Sequence, residues 1–332
     1  MTQQTGHEDE AEPLDGLRRV IGAITSGVVE LEPEDLHAVS RLAAGSENVV
    51  HQQLSELDSA ERFALLDRLR EVGAEFGGYD FTVFFGAMLT DEDASVRTMA
   101  VSGLALCETP GATAALLATV RSDEEETGVR REAVNALGEV AMRVELGWAA
   151  SEDAGEVVGA LRTIVEDDRE DEEVRATALS GIGVISESWV TGLIEDAFES
   201  DAASLHLGAV QAMGRNADVY WLPVLEGSLV AEADDERIAA VQAIGEIGSE
   251  DGAPMLLELF DDPSASEELI RAAVAALGEV GSEEAVEALE RLRTHPDPGV
   301  RATAQAALEE ATWLDDLDDP SSSQDPFRWA HE

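Results

Sequence analysis

The chain has 332 residues with 71 acidic and 21 basic side chains, a formal charge of −50 at pH 7, and a single cysteine. Every basic residue other than the histidines is arginine, and there is no lysine. That balance excludes tracking of a duplex phosphate backbone, which requires clustered Lys or Arg; the missing lysine excludes a lysine-bearing phosphate loop, and the lone thiol excludes an internal disulfide or a cysteine-rich zinc site.

In chain order, residues 1–14 are polar and acidic without periodicity and are expected to form a disordered arm. Residues 15–46 have helical spacing, with Leu17, Val20, Ile21 and Ile24 followed by Leu36, Val39 and Leu42, and are expected to form a helical cap. From 47 to 312 one phrase recurs eight times. It is clearest in Val129-Arg130-Arg131-Glu132-Ala133-Val134-Asn135-Ala136-Leu137-Gly138-Glu139-Val140, and its equivalents begin at Glu61, Val96, Val174, Leu205, Glu236, Leu269 and Val300. Neighbouring copies lie 31 to 45 residues apart, the span of one supersecondary unit stacking on the next.

With the first residue of the phrase taken as position 0, apolar residues fill positions 0, 4, 7, 8 and 11, one stripe of an α-helix. Position 7 is almost always small, as Gly103, Ala136, Gly181, Ala212, Ala243, Ala276 and Ala307, which lets neighbouring helices approach closely. Cys107 falls in the position-11 column and is expected to be a small core residue. A second apolar segment precedes each phrase, for example Ala114 to Val120 and Ala253 to Phe260, so each unit is predicted to be two helices. Turns such as Asp91-Glu92-Asp93 and Asp297-Pro298-Gly299 supply capping oxygens before the second helix. Strand-type alternation is nearly absent. The predicted fold is all-α, an α-solenoid (superhelix) of about eight two-helix repeats.

The Val-Arg-x-x-Ala-Val-x-Ala-Leu-Gly phrase resembles the short HEAT-like repeats named after phycobilisome lyases, over residues 47–312. The segment Ala212-Met213-Gly214-Arg215 through Asp218 to Trp221, with Asp80-Phe81 opening an early repeat, is similar to a group of prokaryotic HEAT-repeat proteins without an assigned chemistry. The resemblance implies a protein-binding scaffold or adaptor. It also leaves two other implications open: a lyase-like handling of a chromophore or cofactor, and an adaptor role in archaeal taxis and motility. Deoxyhypusine hydroxylases, which resemble these repeats, bind iron through His-Glu pairs inside them; here such pairs occur only at His7-Glu8 and His331-Glu332, in the tails. No nucleophile elbow or zinc-binding helix motif is present. The expectation is therefore a non-catalytic protein with no cofactor and no metal.

Candidate binding residues lie where the phrase is broken. Position 1 is Arg62, Arg97, Arg130, Arg175, Arg237 and Arg301, with His206 and Ile270 as exceptions. Two readings of the Arg row stand: a ladder joining successive repeats, or a row of guanidinium groups exposed to a ligand. The widest gap between copies places an insertion near 143–156 that contains Trp148, either a binding loop or a longer helix pair on which Trp148 packs. Arg215, Asp218, Tyr220 and Trp221 cluster in a chain poor in aromatics, the composition of an interface hot spot if exposed. The alternative is a left-handed cap at Gly214 or Asn216 with Trp221 packed beneath the next helix. Residues 313–332 form an acidic, Ser-rich tail bearing Phe327 and Trp329, which either docks elsewhere or caps the last repeat.

The acidic excess without lysine fits a protein kept soluble in multimolar salt, where the Debye length falls to about 3 Å. A cytoplasmic protein of an extreme halophile is expected. It should be a monomer that binds protein partners and neither nucleic acid nor membrane, since no run approaches the length of a bilayer span.

Overall fold

Each copy of the phrase is a helix, and the apolar segment before it is another. The computed structural model describes residues 8–26, 31–76, 78–148 and 154–318. Helices α1 (Glu8–Thr25) and α2 (Pro33–Ser40) pack on one another, and α1 also touches α4. Four pairs follow: α3 (Glu47–Leu54) with α4 (Ser59–Glu75), α5 (Thr82–Met88) with α6 (Ala94–Ala105), α7 (Pro110–Val120) with α8 (Thr127–Glu145), and α9 (Ala154–Glu166) with α10 (Glu172–Ile182). The last four are α11 (Ser188–Phe198) with α12 (Ala203–Asn216), α13 (Leu222–Ser228) with α14 (Asp234–Ile247), α15 (Gly252–Glu258) with α16 (Glu267–Val280), and α17 (Glu283–Leu292) with α18 (Pro298–Asp318). One-turn 3-10 segments, Val219–Trp221 and Leu259–Asp261, precede α13 and follow α15. No strand occurs among the described residues.

The chain divides into two compact units, 1–182 and 183–332. In the first, α4, α6, α8 and α10 pack side by side in sequence; in the second, α12, α14, α16 and α18 do the same. Each second helix from α6 onward also packs against the first helix of its own pair, while α3 packs on α5. Contact of each repeat with its sequence neighbour is the construction of an α-solenoid.

The phrase explains the closeness of this packing. In unit one, a Cβ placed on Gly138 would lie 2.8 Å from the Gly181 Cα. In unit two, a Cβ on Gly214 would lie 2.6 Å from the Ala243 Cα, one on Gly245 3.0 Å from the Ala276 Cα, and one on Gly278 2.7 Å from the Ala307 Cβ. In these four phrases the glycine at position 9 thus sits on the small residue at position 7 of the next. Both columns are needed for the helices to meet backbone to backbone. Alanine in a helix interior ordinarily stabilises relative to glycine by about 1 kcal/mol. Gly214→Ala should nevertheless cost about 1–3 kcal/mol, because the added methyl forces apart two packed helices. Gly192→Ala on α11 has open space around it and should stabilise instead; denaturant melts of the two variants in multimolar KCl give opposite shifts if the contact is as described.

The predicted turn oxygens cap their helices. Asp93 accepts from Ser95 N at 2.9 Å, Asp297 from Val300 N at 2.9 Å, and Asp58 forms a reciprocal box with Glu61. These bonds hold the carboxyls of Asp93, chiefly through Ser95, and of Asp297, chiefly through Val300 N, below the ordinary carboxylate value.

Two segment boundaries differ from the sequence expectation. Helix α1 begins at Glu8, inside the segment 1–14 taken as an arm. Helix α18 runs to Asp318, past 312, and Val300, Ala304, Ala307, Leu308 and Ala311 bury one face of it as far as 311. Cys107 is buried, as its column implies, and burial pushes its thiol up to about 11. Native protein should therefore resist alkylation at pH 8, while unfolded protein reacts with one equivalent of reagent; comparable rates in the two states would contradict the burial.

Candidate interaction surface

The Arg row is a ladder. Arg62 donates from Nη1 to Leu57 O at 2.6 Å within its own repeat and pairs with Asp91 of the next at 2.7 Å. Arg97 donates to Asp91 O at 2.8 Å and grips Glu125 through Nε and Nη2. That carboxylate contact raises the Arg97 pKa further above its ordinary value. Arg130 pairs with Glu170, and Arg175 donates to Val165 O at 3.0 Å. In unit two, Arg237 donates to Leu229 O at 2.8 Å and pairs with Asp262. Hydrogen bonds from Ser264 and then Arg237 hold the Asp262 carboxyl below its usual range. Arg62, Arg97 and Arg237 each tie the end of a first helix to the turn of the following repeat, whereas Arg175 pairs with Asp168 and Arg301 donates to His295 O and Pro296 O, both within their own repeats. Arg62 and Arg237 are 7% and 6% exposed, so the reading of the row as a ligand surface does not hold.

His206 is a rung of the same ladder. Its Nδ1 lies 2.6 Å from Phe198 O, its Nε2 3.1 Å from Glu236 of the next repeat, and its ring stacks on Phe198. It is half-buried and does for α12 what Arg237 does for α14.

The 215–221 segment divides into buried and exposed parts. The left-handed residue that ends α12 is Ala217, at φ 54°, rather than Gly214 or Asn216. Asn216 donates from Nδ2 to Gly183 O at 2.9 Å and accepts from Trp221 Nε1 at 2.9 Å. Trp221 is 1% exposed and so is unavailable to a partner, contrary to the hot-spot reading. Arg215 is half-buried and has a partner of its own. Asp218 accepts from Tyr220 N and caps the 3-10 turn. Tyr220 remains, 56% exposed, its hydroxyl donating to Glu195 at 2.9 Å, with Val219 equally exposed beside it. The Glu195 contact raises the Tyr220 pKa above its ordinary value.

In unit one, Trp148 is 69% exposed at the end of α8, and Leu146 lies exposed two residues before it. Neither packs away as the longer-helix-pair reading required. Phe327, Trp329 and both His-Glu pairs fall wholly or partly outside the described residues. Among the described residues, no group of His, Cys, Asp and Glu is placed to hold a metal ion, and no helix is long and apolar enough to cross a membrane.

A family model described as HEAT repeats matches residues 82–146, 222–309 and 263–321. These are HEAT repeats. The match covers α5 to α8 and α13 to α18; the pairs α3–α4, α9–α10 and α11–α12 lie outside it. Comparison with curated proteins gives no match. Among solved structures, the HEAT-repeat chain is similar to the complex of CpcE and CpcF of phycocyanin lyase from Nostoc sp. PCC7120, at 17% identity, TM-score 0.46, over 72% of this chain and 97% of that one. It is similar to human deoxyhypusine hydroxylase at 17% identity, TM-score 0.36, over 81% and 96%. It is also similar to the karyopherin Kap121p bound to the SUMO protease Ulp1p, at 12% identity, TM-score 0.48, over 90% of this chain but 37% of that one. No substrate or partner is carried over from any of them.

Proposed function

We propose that this HEAT-repeat chain is a non-catalytic scaffold that binds another protein, and that it works in the cytoplasm of an extreme halophile. The observation that carries the reading is the contrast between its regular and its broken positions. Where the phrase is intact, polar groups are consumed by caps and ladder rungs. Where it breaks, large side chains stand in solvent in adjacent groups, Leu146 and Trp148 in unit one and Val219 and Tyr220 in unit two, whereas Phe63 and Leu106 within phrases are exposed singly and to a smaller extent. Exposed Trp and Tyr combine contact area with few rotatable bonds, which suits them to anchor an interface. Neither pair is needed to cover the repeat core, so their exposure is unexplained by folding.

The test is affinity capture with the full chain in multimolar KCl, compared with Trp148→Ala and Tyr220→Ala. A partner retained by the native chain and lost from either variant supports the reading. A chain that captures nothing, or partners indifferent to both variants, overturns it.

A further inference from the structure

Unit two carries an open groove of about 490 Å³ between the carbonyl ends of α13 and α15. Its floor is Leu229, Leu259 and the half-buried Met255, and Val230 on its lip is 82% exposed, the most exposed large apolar side chain described. Its charged lining is unequal. Arg237 is committed to Leu229 O and Asp262, so those two charges offset one another. Glu226 and Glu258 are exposed on the rim and make no ion pair or hydrogen bond. The two helices also point their carbonyl ends into the same space, which adds partial negative charge.

We propose that this groove docks an extended segment of a partner protein in which Arg or Lys alternates with a large aliphatic or aromatic residue. The inference rests on the scaffold reading and names the chemistry of one partner surface. An apolar side chain in the groove covers Val230 and Met255, and flanking cations meet Glu226 and Glu258. An acidic segment would place like charges against two unpaired carboxylates, a penalty that selects against the wrong partner. Contact pairs at hydrogen-bond distance lie within even the ~3 Å Debye length of molar salt, so the selection survives where the chain operates.

The probe is a fluorescent peptide of alternating Arg, Leu and Phe, titrated by anisotropy against the full chain in multimolar KCl. A second peptide replaces each Arg with Glu and keeps the apolar residues. The basic peptide should bind and its acidic counterpart should bind at least ~10-fold more weakly. Val230→Asp, which alters a solvent-exposed side chain and should leave the melt unchanged, should weaken the basic peptide by about 10-fold. Glu226→Gln combined with Glu258→Gln should narrow the preference between the peptides. Equal binding of both peptides, full binding by Val230→Asp, or no binding of the basic peptide overturns the proposal. If captured partners depend on Trp148 or Tyr220 but ignore Val230→Asp, the groove fails while the scaffold stands. If the peptide binds as described but capture yields nothing, the scaffold reading fails instead.

Discussion

Transfer from multimolar KCl to about 0.1 M salt is expected to unfold the chain, because the Debye length lengthens from about 3 Å to about 10 Å. At the longer screening length, carboxylates on neighbouring repeats repel one another across the surface of a chain carrying a formal charge of −50. The ladder cannot offset this. Its arginines are committed to local carboxylates and carbonyls, and Glu92 and Asp168 stay largely in solvent even though they lie beside Arg62 and Arg175. Circular-dichroism melts over a KCl series should show the midpoint rising with salt into the molar range. A melt equally stable in low and multimolar KCl would remove the halophilic reading.

Trp221→Ala is expected to cost about 3–5 kcal/mol, the range for deleting a fully buried aromatic. The loss includes more than volume. Trp221 Nε1 bonds Asn216 Oδ1, and Asn216 holds the Gly183 carbonyl, so the substitution also leaves a capping amide with an unmet acceptor. Tyr220→Ala, one residue away, should cost no more than about 1 kcal/mol, since its ring is half in solvent, meets Trp221 edge-on at 4.9 Å, and its bond to Glu195 is at the surface. Urea titrations of both variants in multimolar KCl separate the roles: Trp221 belongs to the fold, and Tyr220 is free for a partner. A Trp221→Ala chain that keeps its stability would restore that residue to the interface.

The repeat architecture was legible because burial imposes a period. Positions 0, 4, 7, 8 and 11 recur wherever a helix presents one stripe to its neighbours, and the capping oxygens of Asp93 and Asp297 sit where a turn must end. The ladder was half legible: spacing showed that Arg recurs once per unit, while its acceptors are backbone carbonyls that carry no signature in sequence. That is also why His206 looked like an exception, although Phe198 O and Glu236 give it the same duty. The glycine at position 9 is visible at Gly138, Gly214, Gly245 and Gly278, but its role depends on which residue of the next repeat it meets. The 215–221 segment misled for a related reason. A 3-10 turn between α12 and α13 rotates successive side chains by a different angle, so composition could not tell that Trp221 faces inward and Tyr220 outward. Ala217 in the left-handed region was unreadable, because glycine and asparagine stood nearby and alanine seldom adopts it.

Ile270 occupies the rung between the seventh and eighth repeats and, being a hydrocarbon, can neither hold a carbonyl nor reach a carboxylate. The terminal hairpin of α17 and α18 is instead joined to α16 by the Gly278–Ala307 touch and by Arg271, the next residue of α16, whose charge acts on Asp297 in the turn before α18. In a linear array whose joints open one by one, an end repeat has a neighbour on one side only, so the α17–α18 hairpin is expected to open before the repeats inside its unit.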